Sequence, residues 1–188
     1  MTFTGLDRQT ALLVIDLQQG IVGLPLVHPV DEVIGRASAL IEAFRRAGRP
    51  IVLVNVAGSP PGRTDRGSGN RQAFPDGFTE LIPELGQQPE DIVVTKYARS
   101  AFSGTGLTER LRDLGVTQVV VIGIATSIGV QLTARSAHED GFSVALPVDA
   151  MTDLDSAAHD HSVSQVFPTI AETGTTDDLL RLLDQSGS

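Results

Sequence analysis

The chain contains no cysteine and no tryptophan, a single tyrosine, and aromatic residues at only 4%. The missing thiols exclude thiolate nucleophiles, disulfides, iron–sulfur clusters and cysteine-ligated zinc together. Any covalent catalysis falls to another residue type. So few rings cannot build a stacking surface for a single-stranded nucleic acid. No Lys/Arg-rich tract is present, and 23 acidic against 14 basic residues give a formal charge of -9, a field that repels polyanions. No nucleic acid is expected as a partner. Long hydrophobic runs are absent too: the longest, Val119 to Ala125, has seven residues, against the ~20 that cross a bilayer. No basic segment leads into an apolar stretch long enough for a secretory signal, so a cytoplasmic protein with no membrane partner is expected.

What is present is an ordinary globular composition, 41% hydrophobic and 20% charged over 188 residues. That is the length of one domain, and the chain is read as a single unit spanning 1–188. Apolar runs rich in β-branched residues occupy Ala11 to Ile15, Ile51 to Val56, Ile92 to Thr95, Val119 to Ile124 and Ser143 to Val148. They are continuous rather than alternating, the pattern of parallel strands covered on both faces. Helical periods fill the gaps at Pro29 to Ala47, Leu107 to Leu114 and Ile128 to Asp140, the first with Val33, Ala37, Leu40, Ile41 and Phe44 on one face. Gly48, Gly115 and Gly141 each stand between a helix and the next strand, where a left-handed cap is wanted. Asp155 to Val166 reads as a further helix, Phe167 to Ala171 as a short sixth strand, and Thr175 to Leu183 as a closing helix capped by Thr175 or Thr176. The class is α/β: a three-layer sandwich around a six-stranded, mostly parallel, Rossmann-like sheet.

Gly58 to Phe78 breaks the rhythm, because Pro60, Pro61, Gly62, Gly67, Gly69, Pro75 and Gly77 preclude a long regular element. It is an excursion that serves either as a binding loop or as plain surface. Ligands of open parallel sheets bind outside the carboxyl ends of the strands, and three polar features stand there. Asp16 ends the first strand, Lys96 ends the third, and Gly123-Ile124-Ala125-Thr126-Ser127-Ile128-Gly129-Val130 turns from the fourth strand into a helix. An acid and a base in one cleft tune each other's pKa, although a turn-capping Asp and a solvated Lys are the bland alternatives.

The ensemble resembles the isochorismatase-like hydrolases, or cysteine hydrolase superfamily, over nearly the whole chain. The likeness is carried by Ala11-Leu12-Leu13-Val14-Ile15-Asp16-Leu17-Gln18, by Lys96-Tyr97-Ala98-Arg99-Ser100-Ala101-Phe102, and by the Gly123 to Val130 turn followed by Thr133-Ala134-Arg135. The resemblance implies Asp16, Lys96 and Gly129 at the catalytic positions, and Gln18, Phe102, Ala125, Thr126 and Ser127 against a small-molecule substrate. It also implies a cis peptide between Ala125 and Thr126, with nearby N–H groups aimed into the cleft. A homo-oligomer without cofactor is expected.

One departure decides the chemistry. Most of the family hydrolyses amides with an Asp-Lys-Cys triad, and this chain has Gly129 where the thiol belongs. Ser127 is no substitute, since no His is positioned by motif to activate it. True isochorismatases also carry Gly at this point, and their reaction, hydrolysis of a vinyl ether, needs a proton donor and a water rather than a nucleophile. In that scheme Asp16 is the donor and Lys96 its electrostatic partner and a contact for a substrate carboxylate. A nearby Lys favours ionised Asp, so burial or the substrate's own charge has to raise the Asp pKa. Isochorismatases read Tyr-Ala-His where this chain has Ala125-Thr126-Ser127, so the pocket is not theirs residue for residue.

Elsewhere, His159-Asp160-His161 looks metal-like, but residues two apart on a helix diverge, and a solvated surface is the plainer reading. His28 and His138 complete the histidines. The loop after the second strand, where nicotinamidases hold a metal, has Asp65 and Asp76 but no His, so no metal is expected. Arg63, Arg66 and Arg71 are solvated loop charges or contacts for an anion. Two functions stand: a thiol-free hydrolase of a small, anionic metabolite, or a vestigial relative that binds a metabolite or serves assembly.

Overall fold

A computed structural model describes residues 2–65, 67, 68 and 74–186. Six strands form the sheet: β1 (Thr10–Ile15), β2 (Ile51–Val56), β3 (Ile92–Lys96), β4 (Gln118–Ile124), β5 (Ser143–Pro147) and β6 (Glu172–Gly174). They lie side by side in the order 3-2-1-4-5-6, all parallel. A two-residue strand, Met151–Thr152, extends the pairing along the end of β4. Because the order reverses between β1 and β4, the connections leave those two strands in opposite directions and open a crevice at their carboxyl ends.

The continuous apolar runs predict strands buried on both faces, and all of β1 and β4 is buried. One face packs Leu12, Val14, Leu53, Val120 and Ile122 under helix α1 (Val30–Arg46) through Leu40, Ile41 and Phe44. The other packs Leu13, Ile15, Val54 and Val121 against α2 (Leu107–Asp113), with Leu107 and Leu111, and α3 (Gln131–Glu139), with Ala134 and Ala137. A short α4 (Ser156–His161) follows β5, and the closing helix α5 (Thr176–Ser186) returns to the α1 side through Leu179 and Leu183. Thr175 caps α5 reciprocally: its hydroxyl accepts from the Asp178 N–H, and the Asp178 carboxylate accepts from the Thr175 N–H. Gly48, Gly115 and Gly141 all adopt positive φ after their helices, as their positions require.

The sixth strand differs from expectation. Phe167–Thr169 is a tight helical turn with Pro168 near its start, and the strand is Glu172–Gly174. Phe167 is apolar because it fills the core beneath that turn, not because it alternates in a sheet. The helix expected at Ile128 begins as a wide turn over Thr126–Val130, in which the Val130 N–H reaches the Ala125 carbonyl at 3.1 Å, before regular winding starts at Gln131.

Gly123 carries the closest backbone approach in the sheet. Its φ is +118°, and a Cβ there would lie 2.0 Å from the Ile15 carbonyl oxygen. The obstruction is the Ile15 backbone, which cannot swing aside as a flexible side chain would. Gly123→Ala is therefore expected to cost about 3 kcal/mol or more of folding stability. Denaturant unfolding checks this, and a loss below about 1 kcal/mol would show that the strand yields.

Candidate active site

At the crevice β1 ends in Asp16, the one non-glycine residue described with a positive φ, 54°. Asp tolerates the left-handed region better than most residues, and the sharp bend lifts its carboxyl off the strand line. Lys96, the last residue of β3, reaches across β2 to meet it, with Nζ donating to Asp16 Oδ2 at 2.7 Å. Both are buried, Asp16 at 6% and Lys96 at 1% exposure. Asp16 Oδ1 is buried with no hydrogen-bond partner.

Burial pushes the Asp16 carboxyl up to about 6, and the charge and hydrogen bond of Lys96 lower it by less. Desolvation therefore wins over the ammonium, which leaves an acid that is largely ionised but readily protonated near neutral pH. The third member of the group is Gly129. A Cβ there would stand 3.1 Å from Asp16 Oδ2, 3.0 Å from the Ile15 side chain and 3.3 Å from the Ile124 carbonyl. The glycine thus brings bare backbone against the acid and leaves no room for a larger side chain without movement.

These residues open on a cavity of about 470 Å3. Ile21, Leu24, Ile124, Ile128 and Leu154 give it an apolar wall, and Gly58, Ser59, Pro60, Gly62, Arg63 and Thr64 of the excursion line it as well. That part of the excursion is a cavity wall rather than plain surface. Among the described residues three cations, Arg63, Lys96 and Arg99, line the cavity against the single carboxylate of Asp16, inside a molecule of charge -9. The field within favours an anion.

The remaining expected contacts divide. Ala125 lines the cavity. Gln18 does not: it is fully buried, its Nε2 donating to the carbonyls of Val56 and Phe78 and its Oε1 accepting from the Val56 N–H at 2.7 Å. Its amide fastens the foot of the excursion to β2 and has no spare group for a ligand. Phe102 packs into the core beside Phe142, with ring centroids 6.1 Å apart, away from the cavity. Thr126 is buried behind the wall, with its hydroxyl 2.9 Å from His159 Nδ1. Ser127 turns outward from the lining, and its N–H donates to Asp153 Oδ2 at 2.7 Å.

The cis peptide lies between Ile124 and Ala125, one residue before the expected position. The amides of Ser127 and Ile128 are engaged, the first with Asp153 and the second with the Ala125 carbonyl at 3.0 Å. His159 is not solvated: it is buried, its ring is 4.6 Å from that of His28, and burial then His28 lower its pKa. Arg66 and Arg71 lie outside the described residues. Among those described, no three His, Asp or Glu side chains are grouped to hold a metal ion, and no helix is long and apolar enough to cross a membrane. The apolar wall at Ile21, Leu24 and Leu154 and the buried carboxylate of Asp153 were not foreseen. Leu154 sits between two Asp residues and reads as loop.

Comparison with known proteins follows the same lines. An Isochorismatase domain model matches residues 10–178. The chain is 36% identical over 182 residues to the isochorismatase family protein YwoC of Bacillus subtilis, covering 92% of this chain and 93% of that one. It is 35% identical over 188 residues to YecD of Escherichia coli O157:H7, another member described by family alone, covering 94% and 97%. Among solved structures, an isochorismatase family protein from Burkholderia thailandensis superposes with a TM-score of 0.88 at 35% identity, over 96% of this chain and 98% of that one.

Proposed function

The chain belongs to the isochorismatase family of hydrolases, and on that premise we propose that it hydrolyses a small anionic metabolite by acid–base chemistry at Asp16 and Lys96, on a vinyl ether rather than an amide. One observation carries the reading: a buried Asp16–Lys96 pair at the floor of a cationic cavity, with Asp16 Oδ1 unpartnered and the acid pushed up to about 6.

Amide hydrolysis in this site lacks a nucleophile at Gly129. A vinyl ether needs none. Protonated Asp16 delivers its proton from Oδ1 to the terminal enol carbon, and the adjoining carbon becomes an oxocarbenium ion. Water adds to that carbon and returns a proton to the carboxylate. The resulting hemiketal breaks its bond to the departing oxygen, which takes up the hydroxyl proton, leaving a ketone and an alcohol. One water is consumed and Asp16 ends as it began. Lys96 stabilises the carboxylate that forms when the proton is delivered, while Arg63 and Arg99 at the cavity supply charge for the substrate's own carboxylates.

The glycine at position 129 supports a second reading, a relative that binds the metabolite without turning it over. Release of pyruvate from isochorismate, or hydrolysis of another anionic enol ether in a panel that includes amides and esters, separates the two. The expected result is turnover of an enol ether that vanishes in Asp16→Ala. Turnover of amides alone, or none with tight binding of the anions, would overturn the leading reading.

A further inference from the structure

Behind the apolar wall lies a buried carboxylate that the proposed chemistry does not use. Asp153 is 2% exposed, and no Lys or Arg among the described residues pairs with it. An unpaired buried carboxylate is costly unless hydrogen bonds satisfy it. Here backbone does so: Oδ2 accepts from the Ser127 N–H at 2.7 Å, and Oδ1 from the Leu154 N–H at 2.7 Å. Helix capping does not require it, because Asp155 is the N-cap of α4 and accepts from Ala157 and Ala158.

The bond to Ser127 joins segments 26 residues apart in sequence. On one side is the turn carrying Ala125, Ile128 and Gly129, and on the other is Leu154, all of them cavity-lining. A third wall segment is tied to the same point, since the Asp153 carbonyl accepts from the Val27 N–H at 2.8 Å, a few residues beyond Ile21 and Leu24. The neighbouring Thr126 hydroxyl meets His159, which makes a second tie for the turn.

We propose that Asp153 is a positioning residue for the reaction, its carboxylate holding the Ala125–Gly129 turn so that Gly129 stays packed against Asp16. Gly129 and its neighbours shield the acid, so loosening the turn admits water to the Asp16 carboxyl. Lys96 contacts that carboxyl, and among the described residues Arg63 and Arg99 are the other charged groups on the cavity. All three remain in place in the variants below; Asp153→Asn also removes a negative charge, which by itself lowers a neighbouring carboxyl, so Thr126→Val, which alters no charge, isolates the change in solvation.

The inference rests on Asp16 being the site's acid, and it is tested without turnover by carbon-13 NMR titration of Asp16 in the wild type, Asp153→Asn and Thr126→Val. Asp153→Asn keeps the shape but sets an NH2 group against an N–H donor that the carboxylate accepts from. The Asp16 midpoint is expected to fall by about one pKa unit in Asp153→Asn and by less in Thr126→Val. A folded Asp153→Asn with an unchanged Asp16 midpoint would overturn the proposal, whatever its thermal stability. Where Asp153→Asn lowers the midpoint or fails to fold, Thr126→Val decides: a lowered midpoint there supports the positioning role and an unchanged one contradicts it. Because the titration needs no substrate, absence of enol ether turnover would defeat the functional reading and leave this result intact.

Discussion

Asp16→Asn is expected to lower kcat by ~10² to 10⁴-fold on any substrate the protein turns over, the range for loss of a general acid or base. The substitution is nearly isosteric. Its remaining carbonyl oxygen still accepts from Lys96 Nζ, which is 2.7 Å from Oδ2 in the wild type, so neither member of the buried pair is left without a hydrogen bond. What disappears is a proton that can be given and recovered. The loss should therefore fall on kcat, with KM little changed, because the cations that hold an anionic ligand remain. Steady-state kinetics with a binding measurement by calorimetry checks both halves. Wild-type kcat in the variant would move the chemistry away from the floor of the cavity.

Lys96→Met should produce the largest change in stability, and one that depends on pH. Methionine fills the space of the lysine stem but leaves the Asp16 carboxyl buried without its cation. Breaking such a pair costs about 3 to 5 kcal/mol when the partner stays charged. Asp16 escapes that cost by taking up a proton. Its folded-state pKa, already raised from 3.8 to about 6 by burial, climbs further once the lowering by Lys96 is gone. A carboxyl with a raised folded-state pKa binds more protons folded than unfolded, so its contribution to stability is fully present below the unfolded value and lost as pH rises through the folded one. Urea unfolding of Lys96→Met is accordingly expected to approach wild-type stability near pH 4 and to fall by about 3 kcal/mol at pH 8. A deficit equal at both pH values would place the effect in packing rather than charge. KM for an anionic substrate should rise as well, since one of three cavity cations is removed.

Much of the fold was legible because its determinants are local. Runs such as Leu12 to Ile15 and Val119 to Ile122 are apolar at every position, which only strands covered on both faces require. Gly48, Gly115 and Gly141 mark helix ends because a positive φ penalises any side chain. Phe167 to Ala171 misled for the converse reason: an apolar run packed under a tight turn has the same composition as a strand. At the site, Asp16 and Lys96 were readable as polar residues ending apolar runs. Gln18 belongs to the same motif, yet its amide is consumed by Val56 and Phe78, a pairing between distant segments that no local pattern carries. His159 reads as solvated from its helix and is buried because His28, 131 positions earlier in the chain, packs on it. Asp153 was hidden by Asp155, the residue that actually caps the helix.

The pH dependence of kcat/KM tests the central claim, that Asp16 acts as a proton donor, more directly than any single substitution. Only the protonated acid can deliver a proton to carbon, and burial raises its pKa in the free protein to about 6. The kcat/KM for the enol ether is therefore expected to be level at acid pH and to fall about tenfold per unit above an apparent pKa near 6, with that limb absent from the residual activity of Asp16→Asn. A profile that rises through this range, the behaviour of a carboxylate base, or a falling limb that survives in Asp16→Asn, would contradict the account.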